Sequence, residues 1–145
     1  VKANEFDLKQ KAGVIPYYIN EEGKPVMMFM VPSNPKYGGS QFQIAKGRVE
    51  PGENLQQGAV REAEEELGLI ESNIKQIKSL GTSTLTGLDE TYLLTVFIAE
   101  IKNPTHFGQP HYETGKREWL TLEQFRSVGR ANQLPVVTKA QSYSI

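Results

Sequence analysis

From Gly47 to Leu69 the chain reads G-R-V-E-P-G-E-N-L-Q-Q-G-A-V-R-E-A-E-E-E-L-G-L, a loop that turns into a helix. Asn54 is a favoured N-cap, and Gln57 three residues on completes a capping-box signature. Gly68 supplies the left-handed residue that ends helices. Between these two ends Leu55, Ala59, Ala63 and Leu67 recur every four residues and form one apolar stripe. Two of the four are alanine, so the helix can lie close against a sheet. A bounded helix with a small, apolar face constrains the chain to a layered fold that buries that face, and its small residues suit a sheet.

The rest of the helix surface is acidic. Glu62, Glu65 and Glu66 lie three and four residues apart and project from neighbouring positions of one turn, while Glu53 stands in the loop just before. Like charges at this spacing repel by about 0.2–0.5 kcal/mol per pair. Only Arg61 stands among them, and Glu66 sits near the helix C-terminus, where the dipole disfavours anions. Runs of one charge are ordinarily just solvated. Carboxylates set against both rules suggest a second reading of equal weight, a bound cation, and oxygen-only ligands a hard one, Mg²⁺ or Mn²⁺.

The remaining chain fits a single α/β domain. A length of 145 residues, with 38% apolar and 23% charged, suits one globular domain with a real core. A net charge of −1 leaves no basic field to hold duplex nucleic acid. There is no cysteine, which excludes disulfides, thiol catalysis and Cys-based zinc sites; His106 and His111 are too few for a His-rich site. No apolar run reaches membrane-spanning length and the N-terminal V-K-A-N-E-F-D is not a signal peptide, so the expectation is a cytoplasmic protein without a membrane partner.

Ala12 to Ile19 reads as a strand that Pro16 would confine to an edge or a bulge. Pro25 to Val31, apolar throughout, reads as a strand buried on both faces. After the Pro32–Ser40 loop, Gln41 to Ala45 reads as a short strand leading into the Gly47 stretch. Ile74 to Thr84 and Thr91 to Ile101 are strands, Asn103 to Gly115 a loop, and Lys116 to Leu120 a short strand. Thr121 with Gln124 caps a second helix to about Val128, and Pro135 opens a third to about Tyr143. This order gives an α/β domain with helices on both sides of a mixed sheet.

The Gly47–Leu69 stretch resembles the Nudix box, G-x5-E-x7-R-E-U-x-E-E-x-G-U, where U is apolar. Gly47, Glu53, Arg61, Glu62, Glu65, Glu66 and Gly68 fall in register, Leu69 takes the last apolar slot, and the small Ala63 takes the first. The resemblance implies a single Nudix hydrolase domain over residues 1–145, folded as the Nudix-type α/β/α sandwich with a mixed β-sheet. It also implies Mg²⁺-dependent hydrolysis, with Mn²⁺ as substitute, of a nucleoside diphosphate linked to another moiety. By position, Glu62, Glu65 and Glu66 match metal-binding carboxylates, with Glu66 foremost. Glu53 matches a peripheral metal or water contact, and the backbone carbonyl of Lys46 a further ligand. Arg61 matches the arginine that orients a carboxylate, with Glu65 its nearest candidate. Family members often add a loop carboxylate, as metal contact or general base. Of Glu100, Glu113 and Glu118, Glu113 has the matching placement six residues before Trp119. The base role stands open between Glu62 and Glu113.

The segments Q-I-A-K-G-R-V-E-P-G-E and H-Y-E…R-E-W-L-T-L-E-Q are similar to the diadenosine-tetraphosphate hydrolase-like branch, although Phe42 to Lys46 replaces that branch's W-x-x-P-K. A dinucleoside polyphosphate such as diadenosine tetraphosphate is therefore the implied substrate. ADP-ribose, a nucleotide sugar, a dinucleotide cofactor or a nucleoside triphosphate are the alternatives, and a non-catalytic nucleotide-binding regulator is the second. Tyr37, Phe42, Tyr92, Phe107 and Tyr112 are candidates to stack a base. Lys36, Lys46, Arg48 and Arg117 are candidates to meet phosphates, and His111 to donate a proton or hydrogen bond.

Overall fold

The computed structural model describes residues 8–144 apart from 38, 88 and 89. Its strands are β1 (Lys9–Ile19), β2 (Pro25–Pro32), β3 (Ala45–Arg48), β4 (Ile74–Thr86), β5 (Thr91–Ile101) and β6 (Thr114–Leu120). Its helices are α1 (Leu55–Leu67), α2 (Leu122–Val128) and α3 (Leu134–Ser144). The strands form one mixed sheet in the order β4-β5-β1-β2-β6, with β3 pairing β1 beside β2. The β1–β5 pair is parallel and the other pairs are antiparallel.

Alternation along the strands divides the core into two faces. Ala12 and Val14 of β1, with Phe97 and Ala99 of β5, pack under Ala59 and Ala63 of α1. Ile15 and Tyr17, with Val96 and Ile98, pack on the other face against Phe125 of α2 and Val137 and Ala140 of α3. The apolar stripe of α1 thus meets the sheet as its small residues require. β2 is buried along its whole length, with Met27 and Phe29 in the α2–α3 layer and Met28 and Met30 beside Leu67 of α1.

The ends of α1 follow the local signals. Asn54 Oδ1 accepts from the Gln57 amide at 2.8 Å, and Gln57 Oε1 accepts from the Asn54 amide at 2.9 Å. Gly68 closes the helix at φ 73°, ψ 23°. Thr121 and Gln124 make the same reciprocal box at α2.

Two expectations change. β1 is a central strand, and Pro16 lies in it. On the edge facing β2 and β3, β1 pairs with β3 through Val14 and with β2 from Tyr17. Pro16 falls at that change of partner, where a missing ladder donor costs least. The short strand also lies later than the pattern suggests, because Phe42 and Gln43 make only single bridges to Gly129 and Met30, whereas Ala45–Arg48 pairs along β1. Gly47 is therefore strand, not loop. Among the described residues, no helix is long and apolar enough to cross a membrane.

Candidate active site

α1 rests on β1 and β3, so the residues just after β3 and the acidic face of α1 are held together. Arg61 is the centre of that contact. Its Nε and Nη2 donate to the two carboxylate oxygens of Glu53 at 2.8 and 3.1 Å, a bidentate pair. Nη2 also donates to the Arg48 carbonyl at 2.9 Å, and Nη1 to Glu62 Oε1 at 3.0 Å. Glu65 lies farther off, at 3.5 Å from Nη1, and its side chain is half exposed. The carboxylate that Arg61 orients most firmly is therefore Glu53, with Glu62 next, rather than Glu65. Two hydrogen bonds from Arg61 and one from the Glu50 amide hold the Glu53 carboxyl below its ordinary range.

Glu62 fills the space that Gly47 leaves. A Cβ on Gly47 would collide with the Glu62 carboxylate carbon and both its oxygens. Glu66, one turn on, lies close enough to Glu62 to feel its charge and accepts from the Lys46 amide at 3.4 Å. Burial pushes the Glu66 carboxyl well up; the Lys46 ammonium opposes the rise and the Glu62 charge adds to it. Burial likewise pushes the Lys46 ammonium down, with Glu66 opposing and Lys11 and Arg130 adding.

The loop between β5 and β6 is tied to the last carbonyls of α1, which a helix leaves without partners of its own. The His111 amide donates to the Glu65 carbonyl at 2.6 Å and Thr114 Oγ1 to the Glu66 carbonyl at 2.8 Å. Arg117 Nη1 donates to the Leu67 carbonyl, and also to the Gly108 carbonyl at 2.7 Å. The Gly108 amide donates to the Gly68 carbonyl at 2.7 Å. This seam carries Glu113 to a cavity of about 230 Å³ lined by Lys11, Met30, Pro32, Gln43, Lys46, Glu66 and Glu113.

The donor set suits a hard divalent cation. Glu62 and Glu66 would offer oxygen ligands one turn apart, and burial disfavours on Glu66 a charge that a cation would neutralise. Among the described residues, no three acidic, imidazole or thiol side chains converge into a ready-made cage. Glu53 is committed to Arg61, and Glu65 lies half in solvent.

The other sequence candidates separate by burial. Phe42 and Tyr92 belong to the α2–α3 core at 4% and 2% exposure, which leaves neither ring a free face for a base. Phe107 packs edge-on to Trp119. Tyr112 is 79% exposed, and its ring lies tilted against that of His111 with the centres 4.1 Å apart. His111 Nδ1 lies 3.8 Å from Glu113 Oε1. The Tyr37 side chain is outside the described residues. Arg48 and Lys36 are exposed, whereas the guanidinium of Arg117 is spent on backbone carbonyls rather than open to phosphate. Glu100 pairs with Lys75 at 3.7 Å, and Glu118 is exposed on β6, opposite Phe29. Lys11 and Gln43 also line the cavity; Gln43 opens the Q-I-A-K-G-R-V-E-P-G-E segment, whereas Lys11 stands in no motif that would mark it in the sequence.

A NUDIX domain family model matches residues 9–140. A comparison with curated protein sequences found no match. Among solved structures, the chain is similar to a C. elegans Ap4A hydrolase binary complex, with 21% identity, a TM-score of 0.77 and coverage of 94% of this chain and 97% of that one. It is similar to the NUDIX domain of Shewanella oneidensis NrtR complexed with ADP ribose, with 13% identity, a TM-score of 0.78 and coverage of 100% and 91%. It is also similar to RenU, a Nudix hydrolase from M. smegmatis, with 17% identity, a TM-score of 0.74 and coverage of 93% and 86%. At these identities the likeness concerns the fold.

Proposed function

The chain belongs to the NUDIX domain family and is a pyrophosphohydrolase of it, and from that premise we propose that it cleaves a dinucleoside polyphosphate such as diadenosine tetraphosphate with Mg²⁺. The observation that carries the reading is the Glu62–Glu66 pair, backed by Arg61, next to a cavity that also exposes Lys46 and Glu113. The K-G-R-V-E-P-G-E segment and the His111-Tyr112-Glu113 run support the choice of substrate.

In this mechanism Glu62, Glu66 and the Lys46 carbonyl would hold the cation, and Glu53 and Glu65 would support that set. Bound Mg²⁺ supplies Lewis acidity and neutralises charge on the phosphate oxygens. Arg61 fixes Glu53 and Glu62 before substrate arrives, which removes a reorganisation cost from the reaction. Glu62 is engaged by Arg61, whereas Glu113 lines the cavity beside Glu66 with its side chain 68% exposed. Glu113 is therefore the base that takes the proton of the attacking water, and Glu62 is a ligand. Lys46 and Arg48 meet phosphates. Tyr112 offers its exposed ring to a base, and His111 hydrogen-bonds a phosphate beside Glu113.

A turnover panel of diadenosine tetraphosphate, ADP-ribose, NADH, a nucleotide sugar and ATP, with Mg²⁺ or Mn²⁺ and chromatography of products, tests the substrate. Diadenosine tetraphosphate should be consumed fastest, and ATP plus AMP versus two ADP fixes the phosphorus attacked. ADP-ribose is the second reading, supported by the likeness to an ADP ribose-bound NUDIX domain. A tenfold faster turnover of ADP-ribose would overturn the first.

A further inference from the structure

The cavity beside Glu66 and Glu113 carries two lysines. Lys46 donates from Nζ to Gln43 Oε1 at 3.1 Å and lies 5.9 Å from the Tyr92 ring centre. Lys11 comes from the opposite strand of the β1–β3 pair, and its Nζ lies 4.3 Å from the centre of the same ring. Arg130 adds a third positive charge felt by both Lys46 and Tyr92. Glu90 holds Lys11 Nζ at 2.6 Å. That bond uses one of three ammonium donors and fixes where the others point from. Lys11 is also the more enclosed of two lysines that Glu90 engages: its side chain is 18% exposed, against 53% for Lys9 at 3.6 Å. A pure surface ion pair would not require the inner lysine to line a cavity opposite carboxylates.

We propose that Lys11, steadied by Glu90 and seated on Tyr92, acts with Lys46 as a phosphate-binding anchor for the part of the substrate's phosphate chain that the carboxylate-held cation does not cover. The assignment rests on the hydrolase reading for its role, though not for the binding itself. A chain of several phosphates has anionic groups beyond the one under attack, and an ammonium pair on one wall of the cavity meets them as point charges.

The test is binding of imidodiphosphate, the non-hydrolysable nitrogen-bridged pyrophosphate analogue, to the full chain by titration calorimetry without divalent cation. Lys11→Met should weaken binding tenfold or more, and Lys11→Gln should do the same if the apolar substitution disturbs folding. Lys11→Arg should stay within about threefold of wild type, and Lys9→Met should bind as wild type does. Equal binding by wild type and Lys11→Met overturns the proposal. So does an equal loss in Lys9→Met, which would indicate diffuse charge, or no binding by wild type at millimolar analogue. Failure of the enzyme to turn over diadenosine tetraphosphate, with the Lys11 effect intact, would refute the substrate reading and leave the anchor standing.

Discussion

Gly47→Ala isolates the placement of Glu62 from the rest of the fold. Gly47 pairs with Ala12 across β3 and β1, and the methyl group would fall roughly 1 Å inside the 3.4 Å at which ordinary contact begins, against the Glu62 carboxylate carbon and both oxygens. The ladder is backbone and the obstacle is the far end of a flexible side chain, so Glu62 gives way. A carboxylate moved by about 1 Å loses its 3.0 Å bond from Arg61 Nη1. Misplacement of a reacting group on that scale costs on the order of 100-fold in rate, equivalent to about 2.7 kcal/mol of transition-state stabilisation. The stability cost is smaller, within about 2 kcal/mol, because a displaced and partly exposed carboxylate regains water. Steady-state turnover of diadenosine tetraphosphate at saturating Mg²⁺, with urea unfolding of the same sample, reads both quantities. The expected result is kcat down about 100-fold in a folded protein. A variant with kcat within threefold of wild type would show that Glu62 need not sit in the Gly47 gap, and the ligand assignment would fall with it.

Arg61→Lys should lose most activity despite keeping its charge, because an ammonium cannot span both oxygens of Glu53 while reaching Glu62 and the Arg48 carbonyl; a lysine variant with more than half of wild-type kcat would contradict this. Glu66 gives a pH signature in the metal-free protein. Burial raises its carboxyl from 4.5 to about 8, so the folded state holds the proton more tightly than the unfolded chain does. The stability this contributes is fully present below about pH 4.5 and is lost as pH rises through about 8. Urea midpoints across that window should fall for wild type, fall less for Glu66→Gln, and recover in wild type when Mg²⁺ is added. Arg117→Ala should cost about 1–3 kcal/mol in unfolding free energy by leaving the Leu67 and Gly108 carbonyls without their donor. Amide exchange at Gly108 and His111 should quicken in that variant; unchanged exchange would show that the seam does not depend on Arg117.

Features written in neighbouring residues are legible in the sequence. The Asn54–Gln57 box, the Gly68 stop and the Thr121–Gln124 box stand where their residues place them, because a cap is satisfied by atoms within four residues of it. The all-apolar β2 reads correctly as buried on both faces for a similar reason: composition alone demands it. Pro16 misleads, since a proline forbids one donor but says nothing about where two other strands exchange places along β1. The aromatics mislead in the same way. Phe42 and Tyr92 read as candidates to stack a base, and their burial depends on strand pairing and on packing against α2 and α3.

The sequence by itself determined the helix of acids, its limits, its apolar stripe and hence the family. Helical periodicity and capping act over one or two turns, and that range lies within a contiguous stretch. Only the tertiary structure decided which carboxylate Arg61 grips, which loop acid reaches the cavity and which lysine stands across from it. Those contacts join Arg61 to Arg48, His111 to Glu65, and Lys11 to Glu90, across 13 to 79 positions of chain. The pairing of β1 with β3 and β5, and the tying of the β5–β6 loop to the end of α1, bring them together.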